Sequence, residues 1–164
     1  MGMARTDLRS LARDDMAFLG LGAVVLVASF LPWYGTSTTL NLAGHVIHAA
    51  PTTNAWHRWT ALGVLLMLIA TGIVAAELFG EEPLPALTVP WSVVVLGVDA
   101  VGALLVVVKS LDVPSGHTSV SSYGLRWGGW VLLAAAVAQV AVAAWRLRAG
   151  RAGGATPAAE PSVE

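Results

Sequence analysis

Four apolar runs separated by polar stretches of unequal length set the pattern of the chain, at residues 16–33, 60–79, 90–110 and 128–145. A helix of about 20 apolar residues rises roughly 30 Å, the thickness of a bilayer's hydrocarbon core. Each run therefore predicts a membrane-spanning helix. The connections differ in kind. Residues 80–89 are short and proline-rich, which makes the second and third spans antiparallel neighbours. Residues 34–59 and 110–127 are longer. In the first, Thr38 to Leu42 alternates weakly in the manner of a short strand, and Asn54 is placed as the N-cap of the second helix. In the second, Pro114-Ser115-Gly116 signals a turn across which Val113 and residues 118–120 are placed to pair.

The predicted fold is all-α: an antiparallel four-helix transmembrane bundle with two extracytoplasmic loops. Residues 1–15 precede the bundle, residues 16–148 form it, and residues 149–164 have too few large apolar side chains to fold and read as a disordered tail. In the first segment Arg5, Arg9 and Arg13 stack on one helical face with Leu8 and Leu11 on another. Two readings stay open there, a helix lying on the membrane surface and a solvated terminus. No small-x-small site follows the first run, which ends in Leu31-Pro32-Trp33, so it reads as a retained helix stopped by Pro32.

Composition strengthens the membrane reading through what it lacks. Charged residues make up 12% of the chain, against about 25% in a soluble domain, with 56% hydrophobic residues and a mean hydropathy of +0.72. A net charge of −1 offers nothing to a nucleic acid. The absence of cysteine removes disulfides, thiolate ligands and thiol chemistry.

Placing both termini and the 80–89 link on one side gathers Arg5, Arg9, Arg13, Arg146, Arg148 and Arg151 there, and leaves Arg58, Lys109 and Arg126 opposite. The positive-inside rule then puts both termini in the cytoplasm of a multi-pass protein in the cell's inner membrane. Trp33, Tyr34, Trp56, Trp59 and Trp127 fall at the outer ends of the spans, with Tyr123 and Trp130 beside them. Trp91 and Trp145 fall at the inner ends with Phe79. Amphipathic rings favour the interface, so these positions predict an aromatic belt.

One carboxylate, Asp99, stands near the middle of the third span. A charge at that depth costs about 2.5–3.5 kcal/mol on insertion scales, so it turns toward protein or a wet cavity. Counting ~1.5 Å per residue from the inner ends places Asp99 about 13 Å deep, Thr71 about 12 Å and Gln139 about 10 Å. The three predict one hydrogen-bonded cluster inside the bundle. Its role stays open among a structural tie between the third and fourth helices, a proton or cation relay, and a contact to another subunit. Glu77 and Arg146 sit together at the inner interface, where snorkelling to water is favoured over a salt bridge.

His45, His48, His57 and His117 all lie in the two long loops. Without cysteine, with Asp112 as the one acid there and with no H-E-x-x-H motif, they read as loop histidines and no metal is assigned to them. Nor does the chain carry a G-x-S-x-G elbow, a phosphate-binding loop or a dinucleotide fingerprint, so no catalytic residue and no cofactor is assigned.

Phe30-Leu31-Pro32-Trp33-Tyr34 closes the first run, Asn54-Ala55-Trp56 opens the second, and Tyr123-Gly124 precedes a fourth carrying Ala138-Gln139. In these motifs, over residues 16–148, the chain resembles small four-helix integral membrane proteins of actinobacteria. The resemblance implies four spans in a bacterial inner membrane and no particular activity. The expected role is that of a non-enzymatic accessory or scaffold subunit in contact with the bilayer and with a membrane-protein partner or a second copy. A small transporter or ion-conducting subunit using Asp99 is the alternative.

Overall fold

A computed structural model describes residues 13–42, 45–57, 59–80, 85, 87–112, 116–117 and 121–153. Helix α1 covers Arg13–Ser29, α2 Trp59–Phe79, α3 Trp91–Leu111 and α4 Trp127–Gly153. Between them lie strands β1 (Tyr34–Leu42), β2 (His45–Ala49), β3 (Thr52–Thr53), β4 (Gly116–His117) and β5 (Ser121–Leu125). Three helices are long and apolar enough to cross a bilayer: α2, α3 and the Trp127–Ala149 portion of α4. At 17 residues α1 is shorter, and Asp14 and Asp15 make its first turn acidic, a favourable placement at the positive end of the helix dipole.

The helices close a ring in which the α2–α3 and α1–α4 contacts are the most extensive, followed by α3–α4 and then α1–α2. The α2–α3 contact is set by facing glycines. A Cβ on Gly63 would lie 2.8 Å from the Gly102 carbonyl oxygen, and one on Gly102 2.7 Å from that of Gly63. Without side chains there, the two backbones touch, which is how helices associate where lipid supplies no hydrophobic drive.

The all-α expectation is corrected at one end of the bundle. The two long connections form a single five-stranded antiparallel sheet in the order β2-β1-β5-β4, with β3 also paired to β1. β1 joins the loops: Tyr34 stands opposite Leu125, Thr36 opposite Tyr123 and Thr38 opposite Ser121. The short strand expected at Thr38 to Leu42 is the second half of β1, which pairs with β2 as a hairpin. Its first half pairs with β5, a segment of Ser, Tyr and Gly with no apolar alternation of its own. The expected pairing of Val113 with residues 118–120 lies outside the described residues; β4 pairs with β5 instead.

Boundaries shift too. α1 ends at Ser29, before Pro32. The α2 helix starts at Trp59, and Asn54 accepts a hydrogen bond from the Trp56 backbone N–H at 3.2 Å, capping a turn ahead of the helix. α4 runs on to Gly153, so residues 149–153 of the expected disordered tail are helical. Extending a formed helix costs less than nucleating one, so it continues through Ala149, Arg151 and Ala152 despite the poor propensity of Gly150. At the other terminus, residues 13–15 are continuous with α1, and the rest of the expected surface helix lies outside the described residues.

The interior holds two apolar clusters. One, beside the sheet, includes Val25, Trp33, Val64, Met67, Val106, Leu132 and Ala136. The other, toward the opposite end, includes Phe18, Ala70, Val74, Val95 and Ala143.

Candidate functional site

Between those clusters runs a polar layer. Along α3, Asp99 falls between Val95 of one cluster and Ala103 of the other; along α4, Gln139 falls between Ala143 and Ala136. Both side chains are fully buried, each at 0% exposure. Gln139 Nε2 donates to Thr71 Oγ1 at 3.0 Å and to the Met67 carbonyl at 3.4 Å, and the Thr71 hydroxyl donates to that same carbonyl at 2.9 Å. The amide thus reaches from α4 to α2 across the ring. On the α1 side Gly22 lies so close to Thr71 that any Cβ there would overlap the threonine side chain.

The three residues expected to form one cluster are therefore only partly joined. Gln139 and Thr71 bond, whereas both Asp99 carboxylate oxygens and Gln139 Oε1 are buried with no hydrogen-bond partner among the described residues. Asp99 shares the depth of the pair but not its bonds. A cavity of about 740 Å³ nearer the sheet has none of the three in its lining.

At the far end of the bundle the expectation that Arg146 snorkels to water is overturned. Its Nε and Nη2 both meet Asp15 Oδ1 at 2.7 Å, and Nη2 lies 3.8 Å from Glu77 Oε2. The guanidinium also sits 5.5 Å from the centroid of the Phe18 ring. These contacts clamp α1, α2 and α4 together, with the Arg146 and Asp15 side chains 17% and 18% exposed. Reading the chain alone missed Asp15 because its partner is 131 residues away. Two acids opening an apolar helix were the available signal.

The aromatic positions divide. Trp59, Trp127 and Trp145 are all more than half exposed, Trp56 is less so, and Tyr34 and Trp91 are partly covered. Trp91 Nε1 donates to the Pro85 carbonyl at 3.0 Å. Trp33 is not part of a belt. Past Ser29 the chain turns in over the end of the bundle and buries this ring against Gly129 of α4, where a Cβ would lie 2.7 Å from Trp33 Cδ1.

Ser29, a residue the sequence pattern did not single out, ties this corner. Its hydroxyl donates to the Leu26 carbonyl at 2.6 Å and accepts from Trp56 Nε1 at 2.9 Å, while its carbonyl accepts the Ala55 N–H.

Among the histidines, His48, His57 and His117 are exposed, and His48 Nδ1 lies 3.3 Å from Thr39 Oγ1. His45 belongs to β2; its side chain lies outside the described residues. No group of three or more potential metal-binding side chains occurs among the described residues. At the sheet end Lys109 donates to Asp112 at 2.7 Å; that hydrogen bond, and then the lysine's charge, hold the Asp112 carboxyl below the usual carboxylate range.

Comparison of the chain with protein-family models, with curated proteins and with solved structures finds no match.

Proposed function

We propose that this integral membrane protein is a non-enzymatic accessory or scaffold subunit, crossing a bacterial inner membrane four times with both termini in the cytoplasm. The observation that carries the reading is the enclosure of Asp99. The carboxylate near the middle of α3 is fully buried, and it does not line the 740 Å³ cavity, which favours a structural over a conducting part for it. The sheet supports a binding role from the other side. β2 ends the strand order, and a strand at the end of a sheet presents backbone groups to a partner.

Purification of the tagged chain in mild detergent is expected to recover one partner in fixed stoichiometry, equally with wild type and Asp99→Asn. The transporter reading draws on the unpartnered oxygens of Asp99 and Gln139. Proton or cation flux in proteoliposomes that is present in wild type and absent from Asp99→Asn would decide for transport and against the accessory role.

A further inference from the structure

The cavity of about 740 Å³ lies where the C-terminal end of α3, strand β5 and the first turns of α4 meet. Its two ends differ in chemistry. Toward the helices it is lined by Val107, Leu111, Leu133 and Val137, and toward the sheet by Ser122 and Arg126. Leu111, Trp130 and Val137 are 81%, 64% and 61% exposed, so the apolar end opens sideways between α3 and α4 at the level of the interfacial tryptophans.

Arg126 is the charged centre. Its Nη2 makes one long contact to Ser37 Oγ at 3.5 Å, and its buried Nε has no partner. No carboxylate pairs with it among the described residues. The sequence explains why. Residues 34–59 and 109–127, which contain all the strands among the described residues, hold Arg58, Lys109 and Arg126 against a single acid, Asp112, and Lys109 already occupies that acid. A guanidinium lining a membrane-facing groove, beside hydroxyls and without a carboxylate partner among the described residues, is complementary to an anionic headgroup.

We propose that this groove binds an anionic phospholipid, its phosphate on Arg126 and Ser122 and an acyl chain along Val107, Leu111, Leu133 and Val137. A volume near 740 Å³ falls within the roughly 300–1,000 Å³ of small-molecule sites, and the pattern of an apolar trough with few convergent polar groups is theirs. A bilayer supplies this ligand at high concentration along the plane in which the groove opens. The site is independent of the accessory role and of Asp99, and requires only that the sheet end lie at the headgroup level.

The test is native mass spectrometry of the full chain in detergent, titrated with dioleoyl phosphatidylglycerol, dioleoyl phosphatidylcholine or inorganic phosphate. Both lipids carry the phosphate, so the contrast lies in the quaternary ammonium of phosphatidylcholine, which cancels the net charge and would stand near Arg126; phosphatidylglycerol is expected to be retained at least about tenfold better. Arg126→Gln should erase that preference and Arg126→Lys keep most of it. Val137→Trp, at an exposed position, should weaken both lipids by obstructing the chain, with thermal stability unchanged. Equal retention of the two lipids by wild type overturns the proposal. So does displacement by millimolar phosphate with no effect of Val137→Trp, which would mark a free-anion site. A polypeptide captured by a photocrosslinker at position 137 would mark a partner helix in place of lipid, and would overturn it too.

Discussion

Asp99 shows how far a single residue can be read from the chain and where that reading stops. Its enclosure and the small neighbours that let a helix approach were legible, because a carboxylate in the middle of an apolar run has few tolerable places to go. Its bonding was not. Whether a side chain at the right height along its helix also meets its proposed partner depends on how each helix is rotated about its axis, and Asp99 stays out of the Gln139–Thr71 bond. A buried polar group without a partner costs about 1–3 kcal/mol. Asp99→Leu, close in volume and apolar, is therefore expected to raise the unfolding midpoint in detergent. A loss of about 2 kcal/mol or more would instead reveal a bond to the carboxyl that the packing of these residues does not display. Ser29 and Trp33 make the complementary point. Both stood at the edge of a well-marked apolar run, yet their roles come from chain that arrives much later, Trp56 in one case and Gly129 in the other.

At the scale of elements, the helices were legible because a membrane span is a local property of length and hydropathy. The contacts between them follow from subtler local signals. Gly63 and Gly102 each face the other's backbone, whereas Gly72 and Gly97 have nothing within 4 Å of a built Cβ. Gly102→Val is accordingly expected to cost about 1–3 kcal/mol by overpacking, measured by reversible unfolding in mixed micelles. Gly97→Ala should be neutral or stabilise by up to about 1 kcal/mol through better helix propensity. Equal effects at the two sites would contradict the close α2–α3 packing at Gly63 and Gly102.

The clamp at the opposite end of the bundle permits a sharper comparison. Removing one member of a largely buried pair strands the other, at about 3–5 kcal/mol when burial is complete. With the pair still 17% and 18% exposed, Arg146→Ala should cost about 2 kcal/mol, and adding Asp15→Ala should restore part of it. An additive double mutant would show that Asp15 and Arg146 are not coupled.

On the scale of the whole molecule, the sheet is what the amino-acid pattern concealed and what most constrains the architecture. Nothing in Ser121–Leu125 taken alone says strand, since its residues do not alternate and its partner β1 lies far back in the chain, with two helices between. Pairing at that separation is decided by the bundle. Once α1 and α4 pack side by side, the loops leaving them emerge together, and Trp33 and Arg126 are close enough for a 2.8 Å backbone hydrogen bond that starts the ladder. The sheet therefore reports the helix arrangement, and a cross-link within it tests both. Ser37 and Ser122 are register partners with hydroxyl oxygens 2.7 Å apart, and the chain has no native cysteine to compete. Ser37→Cys combined with Ser122→Cys should form an intramolecular disulfide rapidly under mild oxidation in native membranes, seen as a mobility shift that reductant reverses. The pairing of Ser37→Cys with His57→Cys, which joins positions not opposed in any strand pair, should not. If the second pair linked as readily as the first, the two connections would be moving as independent loops. The cap over the bundle, the burial of Trp33 and the polar end of the lipid groove would then all lose their foundation.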